Sequence, residues 1–194
     1  FLEEAILRER ENGNLPFIVI STAGTTVRGT FDDLNAVSEI ANKYGIWHHV
    51  DAAWGGAALF SKKHVSLLDG ISKANSFAFD AHKMIGSSMV CSAFLVQDDS
   101  ILPRTMVHTK QGDYLFDDPN GELSLGRISP QCGRRADALK LWLSWLEHGK
   151  NGLGDRIDSC VDASKHLANL VSNHPKLSLI SYSFANVCIR FTPL

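Results

Sequence analysis

The run FIVISTAGTTVRGTFDDLNAVSEIANKYGIWHHVD, residues 17–51, decides the fold class. Its first six residues, FIVIST, are apolar and β-branched and have the length of a buried parallel strand. After the small-residue stretch AGTTVRGT, the residues Leu34, Val37, Ile40 and Ala41 recur at helical spacing on one face. Asp32 or Asp33 stands near the start of that helix, and Gly45 is its C-cap. IWHHVD, residues 46–51, then reads as a second strand ending in an acid. Strands that alternate with helical or long crossover segments argue for an α/β fold with a mostly parallel sheet and flanking helices.

Upstream of this unit, residues 2–12 read as the end of a helix that Asn12-Gly13-Asn14 stops. Downstream, beyond the charged turn SKKH and the short element LLDGISKA, SFAF at 76–79 is a third strand and CSAFLV at 91–96 a fourth. Their link is too brief for a helical crossover, so the two are expected to be antiparallel or not adjacent. Residues 98–131 are polar, rich in Gly, Asp and Thr, and without periodicity, the mark of a functional or disordered loop at that length. A helix follows Arg134 with Ala138, Leu139, Trp142, Leu143, Trp145 and Leu146 as a broad apolar stripe ending at Gly149. A second helix at about 155–173 places Ile157, Val161, Leu167, Leu170 and Val171 at helical spacing, and LSLISY and ANVCIRF alternate like strands of a smaller sheet.

The chain has 194 residues, 44% hydrophobic and 21% charged, with a formal net charge of -2. That fits one globular domain or parts of two, and gives no electrostatic footprint for nucleic acid or an anionic membrane. No apolar run nears the roughly 18–20 residues that span a bilayer, and FLEEAILRERENG is charged and amphipathic, unlike a signal peptide; the expected location is cytoplasmic. The four cysteines, Cys91, Cys132, Cys160 and Cys188, have no C-x-x-C spacing, so neither a metal site nor a disulfide framework is expected, and each reads as a small buried hydrophobe. The opening Phe1, in what looks like mid-helix, suggests part of a longer protein.

Three loops stand at or just beyond the C-terminal ends of expected strands: TAGTT (22–26), DAAWGG (51–56) and DAHK (80–83). That edge is where open α/β sheets bind ligands. A lysine there can form an imine with an aldehyde, and the aldehyde cofactor that uses one is pyridoxal phosphate, whose ring nitrogen is kept protonated by a carboxylate. Lys83 and Asp51 fit those two roles, with Ala52 and Ala53 small enough to let a flat ring lie near the backbone. Each residue also has a plainer reading, Asp51 as a turn or cap residue and His82-Lys83 as a solvated loop pair.

The motifs FIVISTAGTT, HHVDAAWGG, NSFAFDAHKMIGSSMVCSAFLV, QCGRRADALKLWLSW (131–145) and NVCIRF (186–191) stand in an order and spacing that resembles the pyridoxal-phosphate-dependent group II amino-acid decarboxylases. The likeness runs through essentially the whole chain and is greatest to the glutamate and cysteine-sulfinate branch. It implies the large domain of the fold type I enzymes, with residues 1–148 as the C-terminal part of the cofactor-binding domain and 149–194 as the start of a small α+β domain. By the same resemblance Lys83 is the lysine that links the cofactor and His82 its neighbour in the site. Asp51 is the partner of the pyridine nitrogen, Ala53 the small residue against the ring, and Thr26 the threonine near the phenolic oxygen. Tyr114 matches a tyrosine of the family's mobile loop, which protonates the substrate carbon after carbon dioxide leaves and reaches the active site of a dimer partner. The implied activity is decarboxylation of an acidic amino acid (glutamate, aspartate or cysteine sulfinate) by a homodimer with shared sites. The alternatives are an aromatic amino-acid decarboxylase, a cysteine desulfurase, or a non-catalytic homologue serving as a binding or dimerisation module. Asp80-Ala81 departs from the family's commonest Asn-Pro at those positions, and Val90 and GRISP (126–130) depart from the glutamate branch. Family members are more than twice this length, and their phosphate-binding serine, ring-stacking histidine and substrate-binding arginine fall outside this chain.

Overall fold

A computed structural model describes residues 1–106, 128–129 and 134–193. It divides into two units, one of Phe1–Leu95 with Asp137–Leu194 and one of Val96–Ala136. In the second unit the described helix is α3 (Ile101–Thr105), and its lead-in is held where Asp98 accepts the backbone N–H and hydroxyl of Ser100.

The first unit opens with α1 (Leu2–Glu11) and continues into β1 (Ile18–Thr22), α2 (Leu34–Tyr44) and β2 (Trp47–Asp51). β1 and β2 are parallel, with Ile18 opposite Trp47 and Thr22 opposite Asp51, so the run quoted first is a strand–helix–strand unit. β3 (Ser76–Asp80) is parallel to β2 on its other side, and β4 (Ser92–Val96) follows, giving the order β1-β2-β3-β4. Asp80 meets Ser92 while His82 meets Cys91, so the two segments run past each other in opposite senses, as an antiparallel neighbour does.

α2 forms where its caps dictate. The Asp33 carboxylate accepts the Ala36 N–H at 3.0 Å, a cap worth about 1 kcal/mol, and Gly45 ends the helix in the left-handed region at φ 65°. The inner face of α2 presents Leu34, Ser38 and Ala41, with Val37 and Ile40 half-buried at its flanks. Against it His48, 1% exposed, spans two hydroxyls, Ser21 Oγ at 2.8 Å from Nε2 and Ser38 Oγ at 2.9 Å from Nδ1. Both ring nitrogens are thus satisfied, as burial of a polar ring requires. The opposite face of the sheet is open. Ile20 is 59% exposed, Ile18 and Phe94 also face outward, and the His49 ring stacks on Phe94 with centroids 5.6 Å apart. Among the described residues, helices lie on one side of β1, so this chain leaves the other side of that apolar strand uncovered.

Between β2 and β3 the chain runs through three short 3₁₀ segments, Gly55–Phe60, Val65–Leu68 and Ile71–Lys73. Together with α4 (Asp137–Ser172) they close the main core, which joins Val50, Ala57, Ala58, Leu68, Met84, Ile85, Leu153, Ile157 and Val161. α4 is interrupted at Gly149, whose φ of 60° and ψ of 178° are non-helical. Before that break Leu139, Trp142, Leu143, Trp145 and Leu146 are exposed; beyond it the buried side is Leu153, Ile157, Val161, Ala168 and Val171. Leu167 and Leu170, which the spacing places with the apolar stripe, lie outside it, because Ser164 and Ala168 fill the positions facing the core. β5 (Leu177–Ser183) and β6 (Asn186–Phe191) form an antiparallel hairpin. Of the cysteines in the described residues only Cys91 is buried; Cys188 is half-buried and Cys160 exposed, so the expectation of buried thiols holds for one of them. Among the described residues no helix is long and apolar enough to cross a membrane, and no cluster of His, Cys, Asp or Glu is arranged to hold a metal ion.

Candidate active site

The parallel register brings the ends of β1, β2 and β3 to one edge, so the three sequence loops lie side by side. Backbone bonds tie them together: Ala23 N–H to the Asp51 carbonyl at 2.8 Å, Ala52 N–H to Ala78 at 2.9 Å, and Asp80 N–H to Ala53 at 3.2 Å. The first two loops touch through glycine. A Cβ on Gly24, which has φ 85°, would stand 2.7 Å from the Gly55 nitrogen, and one on Gly55 would stand 2.6 Å from the Phe31 ring. No side chain larger than hydrogen fits between them.

Each candidate residue is held by its neighbours. Asp51 ends β2 with an exposed side chain, and its Oδ1 accepts the Ala53 N–H at 3.1 Å, which fixes the carboxylate over the turn. Lys83 stands between Ala81, which is fully buried, and Met84-Ile85, which sink into the core; the Ile85 carbonyl is also clasped by Arg156 Nη1 at 3.0 Å. Anchored on both sides, the lysine is left to project, with its side chain 35% exposed. Its Nζ lies 2.9 Å from Asp80 Oδ2. His82 turns Nδ1 to the backbone of Cys91, 2.9 Å from the carbonyl and 3.2 Å from the amide, and leaves Nε2 3.9 Å from the same Asp80 oxygen.

Lys83 and Thr26 line one cleft of about 580 Å³, with Val27, Trp54 and residues 185–188 of the hairpin as the rest of its wall. That volume is in the range of roughly 300–1,000 Å³ common for small-molecule sites. Asp51, Ala53 and His82 stand on the same loops but are not among the residues lining the cleft. Tyr114 lies outside the described residues. Asn186, the hub of the cleft, was not among the expected site residues. Its side-chain amide donates to the Thr26 carbonyl at 2.8 Å, and its Oδ1 accepts the Trp54 indole N–H at 2.7 Å. Cys188 Sγ and the Ser183 hydroxyl bond the same loop, at the Val27 and Gly29 carbonyls. The one available signal was an asparagine opening a strand, where that residue is depleted.

The residue set fits a pyridoxal cofactor on chemical grounds. An amine projects into a cleft from rigid flanks, a hydroxyl side chain shares that cleft, and an exposed carboxylate with one oxygen already fixed ends the neighbouring strand.

The comparisons with known proteins agree. The pyridoxal-dependent decarboxylase conserved domain model matches residues 1–192. Mouse cysteine sulfinic acid decarboxylase is 41% identical over 99% of this chain and 40% of its own length, and mouse acidic amino acid decarboxylase GADL1 is 39% identical over 99% of this chain and 36% of its own. The crystal structure of mouse CSAD superposes with a TM-score of 0.91 at 40% identity, covering 99% of this chain and 40% of that one. Oryza sativa TDC, solved with PLP and tryptamine, reaches 0.90 at 29% identity, covering 98% of this chain and 39% of its own. The chain spans about 40% of the length of these curated relatives. With matched motifs over its whole length, an α/β sheet of the fold type I kind and a lysine at the expected strand end, the chain belongs to the pyridoxal-dependent decarboxylase family.

Proposed function

We propose that the protein decarboxylates an acidic amino acid, with cysteine sulfinate, aspartate and glutamate as the substrate class, and that this chain supplies the lysine half of the site. The observation that carries the proposal is the placement of Lys83 and Thr26 on one cleft at the strand edge where Asp51 ends β2. The names of the relatives support the substrate class.

Bound there, pyridoxal phosphate supplies an electron sink for the pair left behind as carbon dioxide departs. The chain's own residues do the rest. Lys83 would hold the cofactor covalently through Nζ, and its buried flanks keep that nitrogen at the cleft. Asp51 would keep the ring nitrogen protonated, and the bond from Ala53 N–H holds one carboxylate oxygen in place over the turn. Thr26 would meet the ring's phenolic oxygen, Ala53 would leave room for the ring, and His82 would stand beside it. Tyr114 would return the proton to the substrate carbon and exclude side reactions. A homodimer with shared sites, a cytoplasmic location and a small domain beginning at residue 149 belong to the same proposal.

The test is carbon dioxide release by the intact protein from cysteine sulfinate, aspartate, glutamate, tryptophan and tyrosine. Turnover of one or more acidic substrates, with the aromatic ones at least about a hundredfold slower, is expected, since a site built to pair a substrate's polar group rejects an analogue that lacks it. Preference for an aromatic substrate refutes the acidic class.

A further inference from the structure

Asp80 is one of the two residues of DAHK that depart from the family pattern, and its side chain is tightly engaged. Its Oδ2 lies 2.9 Å from Lys83 Nζ and 3.9 Å from His82 Nε2, while its Oδ1 accepts the Ser92 hydroxyl at 2.5 Å. The carboxylate is 19% exposed. Its burial works against the charge, yet the Ser92 hydroxyl and the Lys83 ammonium hold the carboxyl below the usual carboxylate range. At neutral pH it is an anion oriented from β4 and aimed at the lysine.

We propose that Asp80 is a positioning residue that acts through Lys83: it is the resting counter-ion of the free lysine and competes with the cofactor's aldehyde for Nζ. The proposal rests on the reading of Lys83 as the cofactor-linking lysine. An ammonium has no lone pair to offer a carbonyl carbon, so Nζ must give up a proton and its place at Asp80 before it bonds. Over the whole exchange Nζ gains a double bond to carbon, and the carbonyl oxygen leaves as water with two of the three ammonium hydrogens. The positive charge stays on nitrogen. The Asp80 pair therefore slows capture of the cofactor, and it receives the lysine once a substrate amine has displaced it. The charged or titratable groups that face Asp80 are Lys83 and His82 of its own loop; β4 contributes the neutral Ser92. An asparagine in this place, as in the family's commoner pattern, keeps the shape and lacks the charge.

The experiment mixes the intact protein, freed of cofactor, with pyridoxal phosphate and follows the absorbance of the covalent linkage. Borohydride reduction and peptide mass then locate the modified lysine. Asp80→Asn should capture about fivefold faster than the unaltered protein at low ionic strength, the size expected of a partly exposed ion pair. The gap should narrow as salt rises toward ~1 M, though less than for a fully exposed pair, since a partly buried contact is screened less. Asp80→Glu should restore slow, salt-sensitive capture, and melting temperatures should stay together, a combination that a merely structural ion pair does not produce. Equal capture rates with the adduct on Lys83 in both proteins overturn the role of Asp80 and leave the cofactor reading standing. Absence of any adduct on Lys83 in the unaltered protein removes the cofactor reading and the proposal with it. Should Asp80→Asn fail to fold, the salt series on the unaltered protein decides alone: capture that does not accelerate with salt overturns the proposal.

Discussion

His48 and His49 are neighbours in β2 and face different worlds. His48 is sealed between the sheet and α2, with a serine hydroxyl on each ring nitrogen, whereas His49 looks out from the open face and stacks on Phe94. The same division runs through the whole sheet. One face buries Ser21, His48 and Val50 under helices; on the other, the described residues leave Ile18, Ile20 and Phe94 uncovered. At the C-terminal edge, where both faces end, stand Asp51, Asp80 and Lys83. The closed face carries the packing and the rim carries charged groups, because tightly packed strands can hold such groups still without burying them.

The division can be broken most decisively at Lys83. Lys83→Ala should abolish covalent capture of pyridoxal phosphate, read as the loss of the borohydride-trapped adduct, and leave the melting temperature nearly unchanged, since the side chain is partly exposed. A large drop in melting temperature would place Lys83 on the side of stability. Next comes Asp51→Ala, expected to lower turnover at least about a hundredfold while the folded signal in circular dichroism persists, the cost of removing a preorganised charge from a reacting centre. Near-full turnover in that variant removes Asp51 from the site.

The faces themselves can be compared by truncation. Val50→Ala should destabilise the chain by about 2 kcal/mol in denaturant unfolding, and Ile20→Ala by under about 0.5 kcal/mol, because only the first leaves a cavity. Equal losses would show that the outer face is covered. The smallest effect is the pH dependence of His48. Burial, and then the adjacent His49, hold the folded-state value below the ordinary 6.5. A depressed value means that the unfolded chain takes up the proton more readily, so the contribution is complete above about pH 6.5 and is lost as pH falls through the lower folded value. Melting temperature should therefore decline on going from pH 7.5 to 5.5, and His48→Gln should flatten that slope even if it lowers the whole curve.

How much of this could be read in the sequence follows from the range of the forces involved. Local signals were sufficient for the elements: Asp33 and Gly45 bracket α2, FIVIST and WHHVD are strands, and Gly149 breaks α4 where the stripe ends. The placement of the lysine loop was legible too, because strand ends in a parallel sheet share an edge. What sequence periodicity cannot give is which apolar face meets a partner. Leu139, Trp142 and Leu146 repeat like core residues and are exposed, while Ser38 and Ser164 occupy inner positions that a hydrophobic template passes over. Asp80 could be marked as unusual but not explained, since its partner Ser92 lies on the next strand. The contacts of Asn186 were out of reach for the same reason, at a separation of 160 residues from Thr26.

That separation also sets an order of manufacture. A chain made from its N-terminus can assemble β1, β2 and α2 as soon as Tyr44 to Asp51 have been synthesised, since their contacts are local. The AGTT loop closes its local bonds early, with the Gly24 and Thr25 N–H groups on the Thr30 carbonyl, but its anchors to Asn186 must wait until residue 186 has left the ribosome. Among the contacts described, those of the hairpin with the AGTT loop form last, and a truncation just short of the hairpin should leave the strands formed and that loop without its Asn186 and Ser183 anchors.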